Sequence, residues 1–387
     1  MKLASLIALL VLAHTAFAGG RVVLTLSAVA LGGTPFEVGL VISLLALVPM
    51  CVSIHAGRWT DRSAPATPLL LALLMLAAAL LLAPLPLPPP LPGLAGLGAA
   101  AVLLGSGFVL VHLVINNAVG NGAAPDRRTH AFSMLALGIS TSTIAGPVIA
   151  GLLVDLAGHG AAFLSLALLP LLAMALLWTQ RHAAAVAPAR PPDGAPPRVA
   201  DLLRHAPLRA VFIVSTLLSM GWDLFSFMMP VHGARVGLSA SAIGLVMGAF
   251  GAGTFAVRLA MPFLARRLAP WHVLAGALAL AALVYALLPL SHALAPLLAL
   301  SFVLGVGLGS ALPMIMGELQ KNAPPGRSGE AIGVRTMLVN ASQAALPVGF
   351  GALGSAGGTG LVFWALAAVL ACGIGFALRQ RRQPDAG

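Results

Sequence analysis

Long apolar runs, separated by short polar breaks, fill this chain from end to end. A helix needs about 20 consecutive apolar residues to cross the hydrocarbon core of a bilayer. Read on that scale, the sequence predicts twelve spans. Six lie near 3–31, 37–57, 66–83, 93–118, 129–153 and 160–179, and six near 208–231, 239–264, 270–288, 293–317, 329–353 and 359–378. The one long polar segment falls between the sixth and seventh. Pro188, Pro191, Pro192, Pro196 and Pro197 with scattered Arg mark it as a linker. The pattern predicts an all-α membrane protein of twelve transmembrane helices in two six-helix bundles. Their expected limits are 1–180 for the N-terminal bundle, 181–207 for the linker and 208–387 for the C-terminal bundle.

The two halves repeat each other. At an offset of 200, Gly105, Gly107, Pro125, Arg127, Ala145, Pro147 and Gly151 fall on Gly305, Gly307, Pro325, Arg327, Ala345, Pro347 and Gly351. At an offset of 205, Gly32, Gly39 and Leu40 fall on Gly237, Gly244 and Leu245. Gly and Pro report constrained backbone or close helix approach, so their recurrence in register says more than shared Leu or Ala. Two bundles related by pseudo-two-fold symmetry are the pattern of a secondary transporter, with the substrate site between them.

Composition changes the picture only by exclusion. With 59% hydrophobic and 8% charged residues, the chain is far from the soluble norm of about 25% charged. The net charge of +11 would suggest a nucleic-acid partner in a soluble protein. Here Lys2, Arg58, Arg62, Arg127, Arg128, Arg266, Arg267, Lys321, Arg327 and the linker and C-terminal arginines share one side of the twelve-span scheme; Arg235 alone occupies a loop on the other. The positive-inside rule then places both termini in the cytoplasm and the chain as a multi-pass protein of the inner membrane, with the lipid bilayer as its partner and no nucleic acid. Lys2, the run from Leu3 and the small residues Ala16 and Ala18 also resemble a secretory signal. The apolar run continues to Leu31, so the segment is read as span 1. Cys51 and Cys372 stand alone in different halves and are expected to be packing residues. No cofactor or metal site is expected, and no enzyme: there is no Ser/His/Asp grouping, metal-ligand spacing or phosphate loop.

The loop after span 2 reads Gly57-Arg58-Trp59-Thr60-Asp61-Arg62. It resembles the G-x-x-x-D-R loop of the major facilitator superfamily, whose architecture the twelve spans and central linker also match. Ser63, Ala64 and Pro65 depart from the fuller pattern, and the second-half equivalent keeps Pro262, Arg266 and Arg267 without an acid. The resemblance implies alternating access, with Gly57, Asp61 and Arg62 gating the cytoplasmic side and spans 1, 4, 7 and 10 lining a cavity. Span 5 offers a second resemblance. Gly138, Ser142, Gly146, Pro147, Ala150 and Gly151 look like the glycine-proline motif of drug and metabolite antiporters, with Ser142 and Ala150 where Gly is common. Gly146 and Pro147 are therefore expected to act in gating. Span 4 carries His112, near Asn116 and Asn117, where proton–drug antiporters often place an Arg.

Polar groups inside the spans carry the site reading, since each ionisable one costs about 2.5–3.5 kcal/mol on insertion scales and faces a cavity as a rule. Span 1 bears His14 and Arg21, seven residues apart on one face. Span 7 bears Ser219, Asp223 and Ser226 at matching depth. Asp223, Arg21, His14, His112 and Asn116 are the expected substrate and proton residues. An Arg21–Asp223 pair would neutralise both charges and tie protonation to whether the pair is made; Arg21 reaching for the headgroups is the alternative. Arg258 and Arg335 lie near the cytoplasmic ends of spans 8 and 11, as gating bridges to Asp61 or Glu318 or as anchors. The sequence predicts a monomeric secondary transporter for proton-coupled export of a small amphipathic molecule. Proton-symport uptake of a small organic anion is the alternative, and a non-transporting membrane sensor or assembly factor is the reading from another class.

Overall fold

The computed structural model describes residues 3–85, 93–122, 128–179, 199–264, 268–324 and 327–380. Its first half runs α1 (Leu3–Ala30), α2 (Pro35–Arg62), α3 (Ala66–Leu82), α4 (Gly93–Gly122) and α5 (Arg128–Thr179). A short α6 (Val199–Arg204) follows, and then α7 (Ala206–Arg235), α8 (Ala240–Leu264), α9 (Pro270–Leu287), α10 (Leu294–Asn322) and α11 (Ser328–Gln380). Among the described residues eight helices are long and apolar enough to cross a membrane, and Pro35–Met50 and Ala66–Leu82 are shorter apolar helices. Two of the eight, Ala131–Thr179 and Ala331–Gln380, hold 49 and 50 residues. One crossing needs about 20, so each contains two; counted with the two shorter apolar helices, the described residues hold twelve crossings.

A single glycine makes each of those double elements possible. Gly158 (φ 81°, ψ 171°) breaks α5, and Gly358 (φ 80°, ψ 169°) breaks α11. This corner of backbone space is open only to a residue without Cβ. Spans 5 and 6, and spans 11 and 12, therefore join at one hinge residue where a loop was expected. Gly32 (φ 79°) and Gly237 (φ 78°) turn the chain after α1 and α7. Among the described residues, the four positive-φ glycines thus pair at offsets of 205 and 200, and each follows an odd-numbered span.

The chain forms two compact units, 1–192 with 230–248, and 193–229 with 249–387. In the first, α1 packs along α5, and α4 along α2 and α3. In the second, α9 packs between α10 and α11. The same approach is built twice. A Cβ at Gly105 would overlap the carbonyl of Leu45, and one at Gly305 the carbonyl of Phe250. In a bilayer, association rests on such close backbone packing, because lipid offers apolar side chains as good a solvent as the protein does. The first unit buries Leu9, Leu10, Leu24, Leu69 and Leu73 fully; the second buries Tyr285, Phe225 and Phe363. Cys372 is free and exposed, not packed as its setting in an apolar run suggested.

Candidate functional site

In the first unit, α1 and α4 bring four rings together. Phe17 stacks on Phe108 with centroids 4.3 Å apart and planes 14° from parallel. His14 sits 5.1 Å from Phe108 and 6.3 Å from Phe17, and His112 lies 5.9 Å from Phe108. His14 and Phe17 are one turn apart on α1, as Phe108 and His112 are on α4, so two facing helices present a continuous strip. His112 is exposed, and His14, Phe17 and Phe108 are half-buried. Arg21 continues the strip on α1, half-buried, and Thr25 donates to its carbonyl oxygen at 2.9 Å. Asn116 turns inward to its own helix, where its amide donates to the His112 carbonyl at 2.7 Å.

The second unit is built differently. Asp223 is only 4% exposed, deep in α7. Gln343 of α11 donates its amide to Asp223 Oδ1 at 3.1 Å. Two residues before it on α7, the Gly221 carbonyl accepts from the hydroxyl of Tyr285 of α9, which is fully buried. Trp222 meets Phe250 edge-on at 4.7 Å, and Phe225 stacks on Phe250 at 4.6 Å. The acid therefore sits on a segment of helix braced from α8, α9 and α11, with one carboxylate oxygen facing an amide that cannot itself take up a proton at ordinary pH.

Arg335 also binds within this unit. Its Nε donates to Ser215 Oγ at 2.7 Å, tying α11 to α7. Arg258 is half-buried on α8. Glu318 is buried near the end of α10, and Asn322 donates to its carboxylate at 3.3 Å. Gly57, Asp61 and Arg62 fall in the last turns of α2, which ends at Ser63. Their side chains lie outside the described residues.

The glycine-proline motif of α5 faces two helices. Gly146 packs on α1, where a Cβ would stand 2.8 Å from that of Ala18 and 3.0 Å from the Thr15 carbonyl oxygen. Ser142 donates to the Val11 carbonyl at 3.1 Å on the same side. One position on, the seam passes to α8: a Cβ at Gly244 would overlap the Pro147 carbonyl, and one at Gly151 the Ala240 carbonyl. Beyond the seam, Asp155 accepts from the Ala240 and Ser241 backbone N–H groups at 3.0 and 2.7 Å. Four residues past Asp155, His159 Nδ1 is hydrogen-bonded to Ser27 Oγ of α1 at 3.0 Å. An open groove of about 420 Å³ between α2 and α4, lined by Glu37 and apolar residues such as Leu40, Val41 and Leu94, includes none of the residues of the two polar strips.

The sequence singled out His14, Arg21, His112 and Asp223 as candidates. It missed Gln343 as the partner of Asp223, Phe17 and Phe108 as the platform between the histidines, and Asp155. The offset of 200 that lays Gln343 on Thr143 was the one available signal for Gln343. For Asp155, the signal was an acid in the turn after span 5.

The sequence profile of the Major Facilitator Superfamily matches residues 6–347 and 211–387. No curated protein matches the chain. Among solved structures, a POT family transporter in complex with a thioalcohol-conjugated peptide superposes with a TM-score of 0.81 at 15% identity, covering 98% of this chain and 95% of that one. A POT family transporter in complex with 5-aminolevulinic acid gives the same figures, 0.81, 15%, 98% and 95%. A bacterial homolog of the human lysosomal transporter Spinster, inward-facing and unoccupied, gives a TM-score of 0.77 at 14% identity over 99% of each chain. At such identities the likeness is one of fold.

Proposed function

Because the chain belongs to the Major Facilitator Superfamily, a family of membrane transporters, we propose that it exports a small amphipathic compound by alternating access, driven by the proton gradient. The observation that supports this most is the buried Asp223 held by Gln343. A carboxylate this deep has no low-cost structural use, and it can take up and release a proton as its surroundings change. The amphipathic character follows from the aromatic strip of Phe17 and Phe108, flanked by His14 and His112. Rings of that kind stack on a flat apolar body, while the imidazoles serve a polar edge.

Arg21 supports a second reading, uptake of a small organic anion with protons, and one of the superposed transporters was crystallised with such a carboxylic acid. In either reading Arg21 and Asp223 exchange partners during the cycle, and Asp61, Gly146, Pro147, Arg258 and Arg335 serve gating. One chain carries both repeats, so a monomer suffices, in the inner membrane with both termini and the 181–207 linker in the cytoplasm.

Flux in proteoliposomes decides the matter. Compounds that raise the melting temperature of the purified protein are loaded inside or outside vesicles with an imposed pH gradient. Export predicts movement of the compound against inward proton flow; uptake predicts movement with it. No gradient-dependent flux of any stabilising compound would reduce the protein to the sensor reading. Asp61→Asn should impair turnover while leaving expression intact, and unchanged turnover would leave that loop a topology signal only.

A further inference from the structure

The starts of α2 and α8 are the same element in the two repeats, and they are capped in different ways. Helix α2 caps itself. Thr34 Oγ1 accepts from the Glu37 N–H at 3.3 Å, and the Glu37 carboxylate accepts from the Thr34 N–H at 2.8 Å. Pro35 occupies the first helical position and has no N–H to satisfy. At the offset of 205, Thr34 becomes Ser239, Pro35 becomes Ala240, Phe36 becomes Ser241 and Glu37 becomes Ala242. Ser239 still accepts from the Ala242 N–H at 3.2 Å. The acid, however, is gone from the first turn of α8, and Ala240 brings an N–H that Pro35 lacked.

Asp155, from the far end of span 5, supplies what the repeat lost. Its two oxygens take the Ala240 and Ser241 N–H groups separately, at 3.0 and 2.7 Å. Such bidentate capping by a carboxylate satisfies two of the orphan donors and meets the positive end of the helix dipole. Asp155 lies beyond the apolar run that ends near residue 153. Desolvation raises its carboxyl, but hydrogen bonds from Ser241, Ala240 and Ser239 together outweigh it and hold the group below the usual carboxylate range. Its counterpart at the offset of 200 is Ser355, which cannot carry that charge. The charge at this position is therefore one-sided within the repeat. Residues 230–248 pack with the first unit although the repeat assigns them to the second half, and the Gly151–Ala240 and Pro147–Gly244 seam runs directly beneath Asp155.

We propose that Asp155 is the latch of the outer side, a carboxylate on span 5 that clasps the N-terminus of span 8 and must let go each time the substrate path opens outward. The assignment rests on the alternating-access reading and on the cytoplasmic placement of the termini. Asp155 then mirrors, on the opposite face, the gating role that Asp61 is proposed to play.

The test reads distance and needs no substrate. Spin labels are placed at Leu156→Cys (82% exposed in the native chain) and Leu245→Cys (44%) in a Cys51→Ser, Cys372→Ser background. Distance distributions are recorded in lipid nanodiscs. Asp155→Ala should raise the separated population about fivefold, the equivalent of a lost cap, and Asp155→Asn should give a smaller rise. Adding Ala242→Glu to Asp155→Ala restores to α8 the self-made cap of α2 but not the tie to α5. The latch requires the separated population to stay high in that double variant while thermal stability recovers. Unchanged distances in both Asp155 variants, or distances restored by Ala242→Glu, would overturn the proposal and leave Asp155 a helix cap. Distances that respond as stated in a protein without flux would uphold the latch and sink the transport reading alone.

Discussion

The polar strip on α1 and the polar strip on α7 occupy equivalent places in the two repeats, yet they are built from opposite materials. Around α1 the groups are rings: His14, Phe17, Phe108 and His112 are held by stacking, with His112 exposed. Around α7 the group is an acid, buried to 4% exposure and held by the Gln343 amide. Stacking tolerates sliding and exchange of partners at small energetic cost, about 0.5–1.5 kcal/mol per ring pair. A buried carboxylate tolerates neither, since losing a partner leaves a charge in low dielectric. The repeat supplies one scaffold twice, and the two halves fill it with stacked rings on one side and a buried carboxylate on the other.

The largest effect expected from breaking this contrast is at Asp223. Asp223→Asn keeps the size and hydrogen bonding of the protonated acid but cannot release a proton. Exchange of substrate across proteoliposomes should persist while gradient-driven accumulation falls to background. Full accumulation would move coupling to the ring side, with His14 and His112 the next groups to replace. Removing the brace comes second. Gln343→Leu deletes a hydrogen bond to a charged group, worth about 1.5–3 kcal/mol, and should slow gradient-driven turnover about tenfold or more with normal expression. A rate unchanged from the parent would mean that Asp223 acts without Gln343.

On the α1 side the effects should be graded, not switched. Phe108→Ala removes the ring that touches Phe17, His14 and His112 together. Substrate Kd should weaken about three- to tenfold on the stacking scale, with the pH profile of transport unchanged; a changed profile with unchanged Kd would exchange the roles of the two strips. The smallest effect is expected where neither strip is touched. Ser215→Ala removes the acceptor of Arg335 and should cost about 0.5–1.5 kcal/mol of stability, read as a small drop in melting temperature, with coupling intact.

Much of this was legible in the sequence because the governing rules are local. Twelve apolar runs give twelve crossings, since a helix is the one structure that satisfies its own backbone within a single apolar run. Glycines in register gave the repeat, and their positive φ at Gly32, Gly158, Gly237 and Gly358 is the physical reason they recur. Position along a helix likewise put His14 and Arg21 on one face. Pairings between helices were illegible for the opposite reason. Whether Gln343 meets Asp223, or Phe108 meets His14, depends on how each helix is rotated and how deep it sits, which no spacing within one helix encodes. Asp155 was hidden twice, by that and by its place in a turn where an acid looks like simple solubility. The near-absence of a loop at Gly158 was missed because the apolar run pauses there while the helices do not.

The borrowed cap on α8 also has a consequence for synthesis. Asp155 precedes Ala240 by 85 residues, so as α8 enters the membrane the group that completes its first turn is already made. Helix α2 needs no such provision, because Thr34 and Glu37 travel with it. Chain order is thus part of how this fold assembles. A circular permutant that begins at α7 and ends with the first half would deliver α8 before its carboxylate existed, and that helix would have to wait, with two donors uncapped, for a partner made last.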